Sequence, residues 1–231
     1  MNTPDSTTAS PGDTLSPTVH LIDDDQAVRD SLALLIGTVG LRVMPWSDPQ
    51  AFLRDFDRDA IGAIVLDVRM PGISGLSVLD TLVAQGVDQP VIMLTGHGTV
   101  DMCRRAFKAG AAEFLEKPVN DEALLEALQH AVRQHVRSRQ HHEADRAARE
   151  RYAQLSERER EVLGLIVEGL TNKEIGRALG LSPRTVETHR ANLFGKLQAP
   201  SLAQLIRHYA ALVDADDAAG SGGVGGGSSA A

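Results

Sequence analysis

Cysteine is nearly absent, since Cys103 is the only one in the chain. No intrachain disulfide can form, which excludes a disulfide scaffold and makes the cytosol the natural compartment. Aromatic residues are scarce at 3%, so any core must be built mainly from aliphatic side chains. Long apolar runs are missing too. The stretches at 63–66 and 91–94 reach only a few residues, far short of the roughly 20 that cross a bilayer. The opening stretch MNTPDSTTASPGDTLSPT has neither a basic start nor an apolar centre, so it is no secretory signal. It reads as a disordered lead over 1–17.

Basic charge is in deficit, with a net charge of −8, which looks wrong for a nucleic-acid binder. The deficit is uneven. Residues 1–131 carry −10, residues 132–213 carry +5, and residues 214–231 carry −3. An acidic half and a basic half favour different partners. The 231 residues allow two small domains, and 42% hydrophobic content lets each bury a core.

What is present is periodic. VHLI at 19–22, LRVMPW at 41–46, AIVL at 63–66, VIML at 91–94 and EFLE at 113–116 predict strands. Between them, apolar residues recur at spacings of three and four: Val28, Leu32, Leu35 and Val39; Leu76, Leu79 and Val83; Val100, Cys103 and Phe107. A short helix is marked by Ala51, Phe52 and Phe56. Leu124, Leu125, Leu128 and Val132 mark a fifth helix. Strands alternating with helices predict an α/β doubly wound parallel sheet, whose ligands gather at the carboxyl ends of the strands. Beyond Val136 the chain is charged, Ala-rich and free of Gly and Pro, which predicts a solvated helical linker over 134–151. The Gly/Ser-rich end predicts a flexible tail over 214–231.

Polar residues with a shared chemistry stand at those strand ends. Asp23, Asp24 and Asp25 follow the first strand and Asp67 the third. Thr95 ends the fourth strand and Lys117 follows the fifth. Carboxylates suit Mg²⁺, and a metal plus an ammonium can neutralise the oxygens of a transferring phosphoryl group. One carboxylate remains as nucleophile. Alone, each residue has a plainer reading: Asp25 as a helix N-cap, Thr95 as a cap, Lys117 as a solvated charge. Their convergence on one sheet edge favours the site.

The stretches VHLIDDDQAVR, IVLDVRMPGISGL, VIMLTGHG and FLEKP resemble the receiver domain of bacterial two-component response regulators over 18–133. The resemblance implies a five-stranded sheet of order 2-1-3-4-5 and phosphorylation of Asp67 by a sensor histidine kinase. It implies Mg²⁺ held by Asp23, Asp24, Asp67 and the backbone carbonyl of Arg69. Thr95 becomes the hydroxyl that contacts the phosphoryl group, Phe114 the aromatic switch, and Lys117 the ion-pair lysine before an often cis proline, Pro118. Arg69 and His97 take the positions that tune phosphate lifetime. The TGHG stretch points to the FixJ-related subgroup.

The basic half carries three helix starts. Ser156 with Glu159, and Thr171 with Glu174, have capping-box spacing, and Ser182 precedes Pro183. In the third helix, at about 100° per residue, Val186, Leu193 and Leu197 share one side. Arg184, Thr188, Ala191 and Gly195 share the other, flanked by Thr185, Glu187 and Asn192. Small and polar residues there suit base edges in a major groove. Lys173, Arg184 and Lys196 suit phosphates, and Asn172 and Lys173 open the preceding helix. Arg190, nearer the apolar side, reads as a structural ion pair. From spacing alone, a helical hairpin for protein contact fits equally well. LSERERE and GLTNKEIGRALGLSPRTVETHRANLFGKL resemble the LuxR/FixJ-type helix-turn-helix, a second, all-α four-helix domain over 152–213. Its fourth helix, near 201–209, contributes to dimer contact in that family.

The expectation is therefore a cytoplasmic, non-enzymatic transcription regulator with no membrane partner. Phosphorylation makes it a homodimer, which binds a double-stranded DNA operator and engages RNA polymerase. An aspartyl phosphohydrolase is the enzyme alternative. It typically needs an acid two residues past its nucleophile, where Arg69 stands. A pure protein-interaction switch is the other alternative. A nicotinamide enzyme would need a glycine-rich fingerprint after the first strand, and none is there.

Overall fold

The computed structural model describes residues 17–221, with the backbone alone for 217–221. The expected lead, apart from Pro17, and residues 222–231 of the expected tail lie outside the described residues. The chain divides into two units between Arg139 and Gln140.

In the first unit, β1 (Thr18–Ile22), β2 (Arg42–Trp46), β3 (Gly62–Asp67), β4 (Val91–Thr95) and β5 (Glu113–Glu116) alternate with helices. These are α1 (Gln26–Gly37), α2 (Pro49–Asp55), α3 (Gly75–Ala84), α4 (Val100–Lys108) and α5 (Asp121–Ala153). The strands form one sheet in the order β2-β1-β3-β4-β5, every neighbouring pair parallel. That is the expected doubly wound order. Strand alternation sorts the core into two faces. Ile22, Ile64, Leu66 and Met93 meet Phe52, Leu79 and Leu82 on the α2–α3–α4 face. Leu21, Val65, Ile92 and Leu94 meet Ile36, Leu124 and Leu128 on the α1–α5 face. Each fully buried side chain contributes about 1.5–3 kcal/mol. Pro45 falls in β2, an edge strand, where a missing N–H costs no ladder bond.

Helix α4 forms where expected, with Ala106 buried and Met102 partly buried against the core, while Val100 and Phe107 are 78% and 46% exposed. One expectation needs correction: the linker is not uniformly solvated. Helix α5 runs unbroken to Ala153, and His135 is buried against the Gly62 backbone with Asp88 at 3.3 Å.

The second unit comprises α6 (Glu157–Val167), α7 (Asn172–Leu179), α8 (Pro183–Leu197) and α9 (Leu202–Ser221), joined by the end of α5. Ala148 is buried in this unit's core, with Tyr152 packed beside it one turn on. Both expected capping boxes form, and Ser182 caps α8 ahead of Pro183. Gly180 closes α7 at φ 67, the left-handed conformation that glycine adopts freely. Helix α9 extends past the expected boundary at 214, and beyond it the Asp216 carboxylate accepts from the Tyr152 hydroxyl at 2.8 Å and lies 3.7 Å from Arg160. Among the described residues, no helix is long and apolar enough to cross a membrane.

Candidate functional site

Parallel register brings the strand ends of the first unit together. Ile22 pairs with Leu66, so Asp23 and Asp67, one residue on, leave the sheet side by side. Both are nearly buried, at 1% and 6% exposure, while Asp24 is exposed. Asp25 turns away to cap α1, accepting from the Ala27 and Val28 amides. Lys117 follows β5 directly and precedes a cis bond to Pro118. Its ammonium lies 2.6 Å from Asp23 Oδ2 and 3.0 Å from Asp67 Oδ1.

One glycine makes this edge possible. A Cβ at Gly75 would stand 2.1 Å from the Asp67 carbonyl oxygen, so only glycine lets α3 start directly behind Asp67.

The electrostatics follow from burial and charge. Burial pushes the Asp67 carboxyl above its usual range. Lys117 and the Arg69 amide pull it back, and Asp23 pushes it up again. Burial alone would lower Lys117, but Asp23 and Asp67 outweigh it and hold the ammonium above its ordinary value. Asp23, Asp24 and Asp67 each offer an oxygen within 4.8 Å of the others. Three hard donors at that spacing fit a small divalent cation.

Thr95 is buried one step past Asp67 in register, and its hydroxyl is occupied locally. It accepts from the His97 amide at 3.3 Å and points at Met102 Sδ, 3.9 Å away. Phe114 packs half-buried against the α2–α3–α4 core. Arg69 and His97, read separately in the sequence, meet across the rim: an Arg69 Nη2–H donates to His97 Nδ1 at 2.6 Å.

On the second unit, Arg184, Thr185, Glu187, Thr188, Ala191 and Asn192 form one exposed face of α8, opposite buried Val186, Leu193 and Leu197. Lys173 is exposed and Asn172 half-buried at the start of α7. Lys196 differs from expectation. Its ammonium lies 2.6 Å from Glu159, so it is committed inside the unit. Arg190, expected in a structural ion pair, is half-buried and forms no ion pair among the described residues.

Residues 19–129 match the family model described as the response regulator receiver domain. Residues 153–209 match that of bacterial regulatory proteins of the luxR family. The chain is 47% identical to the transcriptional regulatory protein FixJ of Azorhizobium caulinodans, over 87% of this chain and 96% of that one. The chain belongs to the FixJ-like two-component response regulators. The regulator is also 38% identical to the response regulator protein TodT of Pseudomonas putida, over 82% and 83% of the two chains. Among solved structures it resembles the response regulator StyR, with a TM-score of 0.75 and 38% identity over 83% and 97%. Full-length FixJ from B. japonicum aligns with a TM-score of 0.53 and 40% identity over 84% and 95%. The regulator thus joins a receiver domain to a LuxR-type DNA-binding domain, and it regulates transcription.

Sequence reasoning missed the second role of Glu159 in the regulator. It was read only as a capping-box partner, yet it is 4% exposed and gathers three donors on one oxygen. The only signal for this in the sequence is a lysine far along α8, which spacing cannot connect to it.

Proposed function

We propose that Asp67 is the phosphoacceptor of this regulator and that its phosphorylation governs DNA binding through α8. The carrying observation is the Lys117 ammonium, placed within 3.0 Å of both Asp23 and Asp67. That cation keeps two nearly buried carboxylates together where neither has bulk water for company. Asp23, Asp24, Asp67 and the Arg69 carbonyl are the groups that would hold Mg²⁺. When bound, the metal supplies positive charge against the equatorial phosphoryl oxygens.

An Asp67 carboxylate oxygen attacks the phosphorus of a phosphohistidine on a sensor histidine kinase. The P–N bond breaks and its electrons return to the imidazole nitrogen. Lys117 then pairs with the new phosphoryl oxygens. The Thr95 hydroxyl leaves the Met102 side to donate to them, and Phe114 follows into the space beside it. Exposed Val100 and Phe107 next to Phe114 support a homodimer through the α4–β5 face. Dimerisation places two α8 helices on a two-fold DNA operator, where linkage raises effective concentration. There Thr185, Glu187, Thr188, Ala191 and Asn192 face bases, while Arg184, Asn172 and Lys173 face phosphates. Contact with RNA polymerase then activates transcription in the cytoplasm.

The test is labelling by a small phosphodonor such as acetyl phosphate. The wild type takes up label stoichiometrically, and Asp67→Asn takes up none. Retained label in that variant places the acceptor elsewhere.

A further inference from the structure

Adjacent residues at the start of α6 each reach one helix of the helix-turn-helix. An Arg158 Nη2–H donates to the Leu179 carbonyl in the last turn of α7 at 2.6 Å. The Glu159 carboxylate reaches the last turn of α8. Its Oε2 accepts from the Ser156 amide at 2.8 Å, the Ser156 hydroxyl at 2.9 Å and Lys196 Nζ at 2.6 Å. Lys196 Nζ also approaches the Gln154 carbonyl at 3.4 Å. The two Ser156 contacts close the α6 capping box and fix the carboxylate, and the Lys196 contact ties that fixed group to the C-terminal end of α8. The carboxylate is almost wholly buried, whereas the lysine side chain is 40% exposed.

The turn between the two helices allows no compensating slack. A Cβ at Gly176 would come within 2.8 Å of the Leu181 carbonyl oxygen. The α7–α8 turn is therefore in close contact with α7 itself. The C-terminal end of α8 is anchored by buried Leu193 and Leu197 and by the Tyr209 hydroxyl, which donates to the Leu197 carbonyl at 2.9 Å. The Glu159–Lys196 pair adds a charged tie from that end to the α6 N-terminus.

We infer that Glu159 and Lys196 are positioning residues for DNA reading: the pair holds α8 at the angle at which its exposed face meets base edges, and Lys196 makes no phosphate contact. This rests on α8 being the DNA-facing helix, the reading proposed above. A lysine on the reading helix that spends its charge inside the domain contributes geometry to the interface instead of counterion release.

The two roles predict opposite signs for one substitution. If Lys196 gripped a phosphate, Glu159→Gln would remove a competing carboxylate and tighten DNA binding. If the pair positions α8, Glu159→Gln weakens binding as Lys196→Met does. Full-length phosphorylated protein is titrated with two 30-base-pair duplexes across a salt series. One duplex is selected from a random pool by the wild type, and the other has mixed sequence. Each single variant is expected to lose roughly tenfold affinity for the selected duplex, equal to about 1.4 kcal/mol. Loss on the mixed duplex is smaller, because phosphate contacts elsewhere survive. The salt slope stays at the wild-type value, the double variant is no worse than either single, and Lys196→Arg restores affinity.

Thermal unfolding of each variant, read by circular dichroism, confirms a folded domain at the assay temperature. Should Glu159→Gln fail that control, the salt slopes of Lys196→Met and Lys196→Arg decide alone. Tighter binding by Glu159→Gln overturns the inference, as does a salt slope lowered by about 0.9 in Lys196→Met, the signature of one lost phosphate contact. Unchanged affinity for both duplexes in Thr188→Arg, on the exposed face of α8, overturns the DNA-facing assignment of α8 itself, which separates that failure from failure of the pair.

Discussion

His20 sits on β1 inside an aromatic cluster of Trp46, Phe52 and Phe56 and is 3% exposed. The Trp46 indole N–H donates to its Nδ1 at 3.2 Å, so the neutral ring carries its proton on Nε2, which has no partner among the described residues. Protonation would put a second N–H on Nδ1, facing the indole donor. Burial lowers the pKa from 6.5 to about 4, with Asp57 pulling weakly the other way. The unfolded chain then binds a proton on His20 at a pH where the folded chain does not. Stability from this residue is complete above pH 6.5 and falls as the pH drops from there toward 4.

Integrated from pH 8 to pH 5, the loss is about 2 kcal/mol, less whatever screening water at the rim supplies. Trp46 is the only tryptophan in the chain, so its fluorescence follows the receiver domain alone. Urea unfolding is compared for wild type and His20→Gln, which keeps an acceptor for the indole but does not titrate. The difference cancels every other ionisable group. It should move against the wild type by about 2 kcal/mol between pH 8 and 5. Parallel pH profiles for the two proteins would refute the assignment of a low pKa to the buried ring.

Two further outcomes follow from the acidic edge. Mg²⁺ at a hundredfold excess over its Kd should stabilise the receiver by about 2.7 kcal/mol, read as a rise in Tm by Trp46 fluorescence. In Asp23→Asn that rise should collapse, and an undiminished rise would place the metal elsewhere. Gly75→Ala forces a methyl against the Asp67 carbonyl, 2.1 Å from its oxygen. It should cost roughly 1–3 kcal/mol and slow uptake of label from acetyl phosphate, since the backbone of Asp67 must move to relieve the clash. Wild-type stability and rate in that variant would show that the helix start yields instead.

The acidic site was legible because parallel strands export their ends to one edge, so strand order converts sequence position into proximity. Asp23, Asp67 and Thr95 each follow an apolar run and Lys117 follows the EFLE strand, and that strand-end position suffices to gather them on one edge. The apolar face of α8 was legible from spacing for the same kind of reason. Which face of α4 packs was not legible, because helical spacing says which residues share a side and not which side meets the core. The Lys196–Glu159 pair was not legible because its members lie on different helices, and an exposed-looking cation carries no mark of a buried carboxylate opposite it.

By itself, the sequence determined the alternation of strands and helices, the capping of α6, α7 and α8, and the residue types at each strand end. These depend on local periodicity and on side chains bonding to backbone within a turn. The tertiary structure alone decided which charges pair: Lys117 across two carboxylates, Arg69 with His97, Lys196 with Glu159, and Asp216 with Tyr152. It also decided that α5 continues to Ala153. Those facts rest on distances between residues far apart in the chain, set only when the cores close.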